Sequence, residues 1–377
     1  MAIYLDNAAT TFIDPEVLEA MLPHMHAVCG SPSAVHSHGR KAKVAVEKAR
    51  KQIASLLNAS PSEIYFTSGG TEGNNMALRG HVMAAKTTHV ITSAIEHHAV
   101  LRPLEELANA GHIQLHWVQL DAQGRLRHDH LAHLLQTCDN ALVSLMHANN
   151  EIGNVNDIAQ IGTLCQKYGA TLHTDAVQTM GHYILDLQAV PVHLMVGSAH
   201  KLHGPKGVGL VYIRSGTKVA PLLHGGMQEQ HMRGGTENVP GIVGFSKALE
   251  IAHRDMAKDR AYIQSLKDHM VRRLRAHIPG VSFNGVNDTA MSLYTILSVN
   301  LPPSENHDML VFNLDIQQIS ASVGSACSSG STVGSHVLKA LGTDPRSGNV
   351  RFSFSKYNTT AEIDDVVTQL ATLNEQE

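Results

Sequence analysis

Between Ile64 and Ser198 the chain repeats one pattern, and that pattern restricts the fold more than any other feature. Short apolar runs at 64–67, 89–93, 113–120, 141–146 and 171–174 alternate with longer segments, 74–85, 99–110, 129–137 and 158–168, that read as helices. A last apolar run begins at Leu194. A helix between two strands carries the chain back across the sheet, so the strands it joins run parallel. The alternation therefore predicts an α/β fold: a mostly parallel sheet with helices on both faces. In sheets of this kind ligands bind beyond the carboxyl ends of the strands.

Upstream, Asp14-Pro15 opens a short helix over 16–26, a breaker-rich loop spans 30–39, and an amphipathic helix is predicted over 40–57. After Gly244 the character changes. A polar helical region over 245–277, short strands at 281–283, 295–300 and 350–354, a Ser/Gly-rich loop at 320–335 and a helix over 361–373 predict a smaller α+β C-terminal domain. The expected division is a large domain, 13–255, and a small one made of 1–12 and 256–377, which suits 377 residues.

With 43% hydrophobic and 16% charged residues, the composition is that of a soluble globular enzyme. The net charge of −4 and the lack of a basic run argue against nucleic acid as a partner. No apolar run approaches membrane-spanning length, and the start, MAIYLDNAATT, lacks a secretory signal. Cys29, Cys138, Cys165 and Cys327 are scattered without a C-x-x-C, so neither a disulfide scaffold nor a metal site is expected, and a cytoplasmic location is. The 26 histidines are expected to raise the net charge between pH 7 and 6.

The chemistry-bearing residues fall at strand ends. Ser68-Gly69-Gly70-Thr71-Glu72-Gly73 reads equally as an anion cup at a helix N-terminus and as a tight turn with Thr71 as cap. Asp175, with Gln178 one turn later, is a carboxylate that needs a positive partner, either a ring nitrogen or a nearby Arg or His. His97, in Glu96-His97-His98, could stack on a flat ring or simply pack. Asn150, in Asn149-Asn150-Glu151-Ile152-Gly153, sits in a turn or a site. Lys201, in Ser198-Ala199-His200-Lys201, is a lysine delivered by a strand among small residues, the setting of a Schiff-base amine. Cys327 lies in the Ser/Gly-rich loop with no apolar neighbours, where a reactive thiol can enter a site and leave it. An anion cup, a carboxylate, a stacking ring and a lysine together are what a protein supplies to pyridoxal phosphate.

The segments TSGGTEGNN, MHANNEIG, HTDAVQ, SAHKLHGPKGVG, RGGTENV and GSACSSGS, in that order, resemble the cysteine desulfurases of the NifS/IscS type, within the class V aminotransferases of PLP fold type I. The resemblance runs from Leu5 to Ser353. It implies pyridoxal 5'-phosphate as cofactor, with Lys201 as its covalent anchor. It places Gly70, Thr71, Ser198, His200 and, from the neighbouring subunit of a homodimer, Thr236 at the phosphate, Asp175 at the ring nitrogen, Gln178 at the ring hydroxyl and His97 over the ring. It gives Asn150 and Arg351 to the carboxylate of L-cysteine, and Cys327 the role of nucleophile that carries sulfur as a persulfide to an acceptor protein, such as an iron–sulfur scaffold. A selenocysteine lyase needs the same parts. A class V aminotransferase needs no such thiol, and a sulfur carrier needs no Lys201, Asp175, His97 and Arg351 set. Two departures stand out: Met227 and His231 occupy places where the family commonly has glycine, and the sequence ends at Glu377, short of the C-terminal tail several relatives use to dock a scaffold.

Overall fold

The computed structural model describes residues 2–286, 290–303, 309–324 and 334–375. Its strands, in chain order, are β1 (Ile3–Tyr4), β2 (Ile64–Thr67), β3 (His89–Thr92), β4 (Gln114–Trp117), β5 (Ala141–Ser144), β6 (Thr171–Asp175), β7 (Leu194–Ser198), β8 (Gly209–Ile213), β9 (Ser282–Phe283), β10 (Ile296–Pro303), β11 (Ile319–Ser320) and β12 (Ser347–Ser353). Seven form one sheet in the order β2-β8-β7-β6-β5-β3-β4. The pairs from β4 through β7 are parallel, as the alternation predicts. Strand β8 returns antiparallel to β7 through the tight GPKG turn and pairs antiparallel with β2 as well. The interior strands are apolar and buried on both faces, as strands sandwiched between helical layers must be.

Three helix starts depart from the sequence reading. The helix predicted over 40–57 begins already at Ser37. The helix after β2 begins at Gly70, not at 74, because two glycines and a threonine open it rather than precede it. The long helix begins at Val239, not at 245, and runs to His277. Asn238 caps it by accepting from the Gly241 N–H, and Pro240 sits in its first turn, where its missing N–H costs nothing. Gly244 inside this helix is a packing residue. A Cβ there would stand 2.6 Å from Met21 Sδ, on the helix Pro15–His26 laid against it.

This long helix serves two hydrophobic cores. Residues from Val239 to Ile251 pack with the large sheet and its helices. Residues from Ile263 to Leu274 pack with β10, β12 and the C-terminal helix Thr360–Glu375. Leu5 and Ala8 belong to the second core, and β1 pairs in parallel with β11. The first residues thus lie on the second core, while the segment that follows them reaches the end of the large sheet.

Candidate active site

Seven chain segments meet beyond the carboxyl ends of β5, β6 and β7, around a cavity of about 240 Å³. Strand β6 ends at Asp175, which is 7% exposed. Its Oδ2 accepts from Asn74 Nδ2 at 2.8 Å and its Oδ1 from the Val177 N–H at 2.9 Å. Both partners are neutral hydrogen-bond donors, which hold the carboxyl group in place on the cavity wall. Asn74 lies one turn into the helix Gly70–Ala85, on the side facing the cavity.

That helix starts without a side-chain cap. Gly69 adopts φ +155 and ψ −176, a conformation open to glycine and hardly to anything else. The backbone therefore turns sharply into the helix, with its first N–H groups next to the Thr71, Ser198 and His200 side chains on the cavity wall. Uncapped N–H groups and the helix dipole favour an anion there. Strand β8 packs tightly behind the turn, since a Cβ on Gly209 would stand 2.7 Å from Gly69 Cα.

Strand β7 ends at Ser198, and one 3₁₀ turn, Ala199–Lys201, presents the lysine. Lys201 is thus carried on a turn after the strand rather than on the strand itself. Its Nζ donates to the carbonyls of Ala8 at 2.5 Å and Ala9 at 2.7 Å. Gln178 Nε2 also donates to the Ala8 carbonyl, at 3.1 Å. His200 Nδ1 lies 3.2 Å from Thr10 Oγ1, and burial, with the charges of Lys201 and Lys206, pushes its pKa down to about 4.

His97 caps the helix His98–Asn109, its Nδ1 accepting from the Ala99 N–H at 3.1 Å. In the neutral ring the proton therefore sits on Nε2. Burial lowers the pKa of His97; the attraction of Asp175 opposes this and the charge of Lys201 adds to it. The ring is neutral near pH 7. Behind it, Glu96 is 1% exposed and accepts from Ser93 Oγ at 2.8 Å and the Met146 N–H at 3.1 Å. Burial raises its pKa to about 8 despite those two donors, and the nearby Asp175 charge adds to the rise.

Arg351, from the middle of β12, is 2% exposed. It donates to the Asn150 carbonyl at 2.8 Å and to Asp6 Oδ1 at 2.7 Å, and its Nε has no partner among the described residues. Asn149 shapes the turn that carries Asn150, donating to the Ile95 carbonyl while its Oδ1 accepts from the Glu151 and Ile152 N–H groups.

Of the residues the sequence singles out, Gly70, Thr71, His97, Asn150, Asp175, Gln178, Ser198, His200, Lys201 and Arg351 line this one cavity. Thr236 does not. It lines a separate pocket of the same chain with Ser68, Gly207 and Arg233. Cys327 lies outside the described residues. Four contributing residues escape the sequence reading. Asn74 is inside the quoted TSGGTEGNN segment, three residues after Thr71 and so on the same helix face, which is a usable signal. Asp6 and the Ala8 and Ala9 carbonyls come from the LDNAAT segment, where nothing in the residue types announces a contact with Lys201 or Arg351.

The model of the aminotransferase class-V family matches residues 3–366. The chain belongs to this family. A curated family member, "Cysteine desulfurase IscS" of Dictyoglomus turgidum, is 41% identical over 96% of this chain and 91% of that protein. "Cysteine desulfurase 2" of Trichormus variabilis is 43% identical over 97% of this chain and 91% of its own length. Among solved structures, a "NifS-like protein" superposes with a TM-score of 0.92 at 35% identity, with full coverage of both chains. The structure titled "SspA in complex with cysteine" superposes at 0.82, with 30% identity over 95% of this chain and all of that one. The family's PLP fold type I architecture is therefore that of this chain too.

Proposed function

We propose that the chain is a pyridoxal-phosphate-dependent cysteine desulfurase, which converts L-cysteine to L-alanine and passes the sulfur to Cys327 as a persulfide for delivery to an acceptor protein. The observation that carries this reading is the convergence of the Lys201 amine, the Asp175 carboxyl group and the uncapped helix start at Gly70 on one cavity, in a chain whose relatives bear that name. The residues present fit the cofactor. Lys201 would anchor it, Asp175 would take its ring nitrogen, Gln178 its hydroxyl, and the neutral His97 its flat face. Gly70, Thr71, Ser198 and His200 would hold the phosphate, with Thr236 of the partner subunit in a homodimer. Bound there, the cofactor withdraws electrons from the substrate Cα, which no side chain can do.

The remaining work falls to the protein. Asn74 keeps the Asp175 carboxyl group aimed by donating to it. Lys201 takes the proton from the substrate Cα and returns it. Its position between the Ala8 and Ala9 carbonyls holds Nζ at the mouth of the site. Arg351 and Asn150 orient the substrate carboxylate, with Asp6 fixing the guanidinium plane. Cys327 attacks the substrate sulfur as thiolate. A sulfur–sulfur bond forms, the carbon–sulfur bond breaks, and its electron pair stays on Cβ, which takes up a proton to become the methyl of alanine. A thiol that must stay reduced suits a cytoplasmic enzyme, and the acceptor belongs to iron–sulfur, tRNA or thio-cofactor synthesis.

The test is direct. Protein reconstituted with pyridoxal phosphate should show the visible absorbance of the bound cofactor and release sulfide and alanine from L-cysteine in the presence of a thiol reductant. Lys201→Ala should lose that absorbance. Cys327→Ala should keep it and lose sulfide release. Survival of the absorbance in Lys201→Ala, or a keto acid in place of alanine, would overturn the reading.

A further inference from the structure

At the edge of the large sheet, away from the cavity, three crossovers bring unlike residues together. His89 opens β3 and His116 is the third residue of β4; the register pairs His116 with Ile91, so the two histidines lie diagonally on one face. His89 Nδ1 and His116 Nε2 are 3.1 Å apart. Cys138 ends the helix His128–Thr137, just before β5, and its thiol reaches the same spot. The three ligand atoms all lie within 4.8 Å of one another. Cys138 is buried against the core, while both histidines are partly exposed, so the cluster has a closed side and an open one.

Histidine pairs are common in this chain; His98 with His336 and His130 with His133 are others. A converging thiol sets this pair apart. Among the described residues no other three His, Cys, Asp or Glu side chains converge in this way.

We propose that His89, His116 and Cys138 bind a zinc-type divalent cation, with water as the fourth ligand. Tetrahedral zinc, with bonds of about 2.0–2.1 Å to nitrogen and 2.3 Å to sulfur, holds its ligand atoms about 3.3–3.6 Å apart. To accept it the imidazole pair opens by a few tenths of an ångström, and the thiol, within 4.8 Å of both nitrogens, draws in toward them. Two imidazoles and a thiolate suit zinc and its neighbours, not magnesium or calcium, which take oxygen. On binding, the Cys138 thiol releases its proton to solvent, and the imidazole that donated to the other carries its proton on its remaining nitrogen, so both rings bind neutral. The site lies at the amino ends of β3 and β5, whereas the candidate active site lies beyond carboxyl ends. The metal would tie the edge strand β4 to β3 and to the entry of β5. The sequence reading expects no metal site because the three ligands come from three crossovers, with no local spacing to betray them.

The test uses the whole chain loaded with pyridoxal phosphate, so that Lys201 is occupied. After chelator stripping and dialysis, Zn²⁺ titrated against a chromophoric chelator should bind at one equivalent per chain. Cys138→Ser and His116→Gln should each weaken binding about tenfold or more, while Cys29→Ser and Cys327→Ser leave it unchanged. Co²⁺ in place of zinc should give a thiolate charge-transfer band that Cys138→Ser removes. Unchanged affinity in both ligand variants, or a cobalt spectrum without that band, overturns the proposal. Should the variants fail to fold, the double variant Cys29→Ser/Cys327→Ser decides: its cobalt complex should keep the thiolate charge-transfer band, and loss of the band overturns the proposal.

Discussion

Glu229 offers the sharpest test of how this fold is held beside its site. It is 5% exposed, as is Arg50, and the two form a bidentate pair at 2.7 and 2.9 Å. Glu229 Oε2 also accepts from the Phe66 N–H at 2.7 Å, and Arg50 donates to the Ile64 carbonyl at 2.6 Å. The pair thus joins the helix Ser37–Leu56, the strand β2 and the loop that leads to Thr236. Glu229→Ala strands a buried guanidinium and a buried N–H. Breaking one side of a buried pair costs about 3–5 kcal/mol. Glu47, 3.3 Å from Arg50 Nε but half-exposed, can recover some of that, so about 3 kcal/mol is the expected loss. Urea unfolding followed by circular dichroism measures it, as a lower midpoint with the slope unchanged. The double variant Arg50→Met/Glu229→Ala should regain much of the loss, because it leaves no uncompensated charge. A loss below about 1 kcal/mol in the single variant, or no recovery in the double, would refute the idea that an isolated buried charge sets the cost.

Asn74→Ala should leave folding intact and weaken retention of pyridoxal phosphate about tenfold or more, the worth of a buried hydrogen bond to a charged group; equilibrium dialysis that shows unchanged retention would remove Asn74 from the site. Burial holds His173 to a pKa of about 3 and His147 and His182 to about 4, so the folded chain binds fewer protons than the unfolded chain below pH 6.5, and stability falls as pH drops from 6.5 toward 4. At pH 5 each costs about 2 kcal/mol, as do His200 and His203, also held down to about 4 by burial, and Glu96, protonated in the fold up to about 8, returns roughly 2–3 kcal/mol, leaving a net loss of about 7 kcal/mol from pH 7 to 5; a flat Tm over that range would contradict it. His231→Gly should stabilise by about 0.5–1 kcal/mol because His231 holds φ +68, whereas Met227→Gly, at φ −82, should not. Equal effects at the two positions in thermal unfolding would disprove the argument from backbone conformation.

The sheet was legible because its interior strands are buried on both faces and its helices are not, so periodicity switches at each crossover, and β2 falls where the sequence places it, at Ile64–Thr67. The helix starts at Gly70 and Val239 were less so, because glycine and proline read as breakers when nothing reveals that tight packing or a first-turn position excuses them. Site residues at strand ends were legible by chemistry. Asn74 and Asp6 were not, since a short polar residue that orients another looks like any surface polar residue until its partner is placed. The Arg50–Glu229 pair spans 179 residues, and no local pattern links them. To the expected rise of charge below pH 7, His147, His173 and His182 contribute nothing, since burial keeps them neutral there.

The LDNAA segment has a consequence for how the protein can be handled. Within four residues it meets the guanidinium of Arg351 through Asp6 and the amine of Lys201 through the Ala8 and Ala9 carbonyls, while β1 just before it is stitched to β11. Its length is therefore gauged at both ends. Lengthening or shortening it by one residue would put either the carboxylate or the carbonyls out of reach, however well the rest of the chain folds. An insertion between Tyr4 and Thr10 disconnects two charged groups at once.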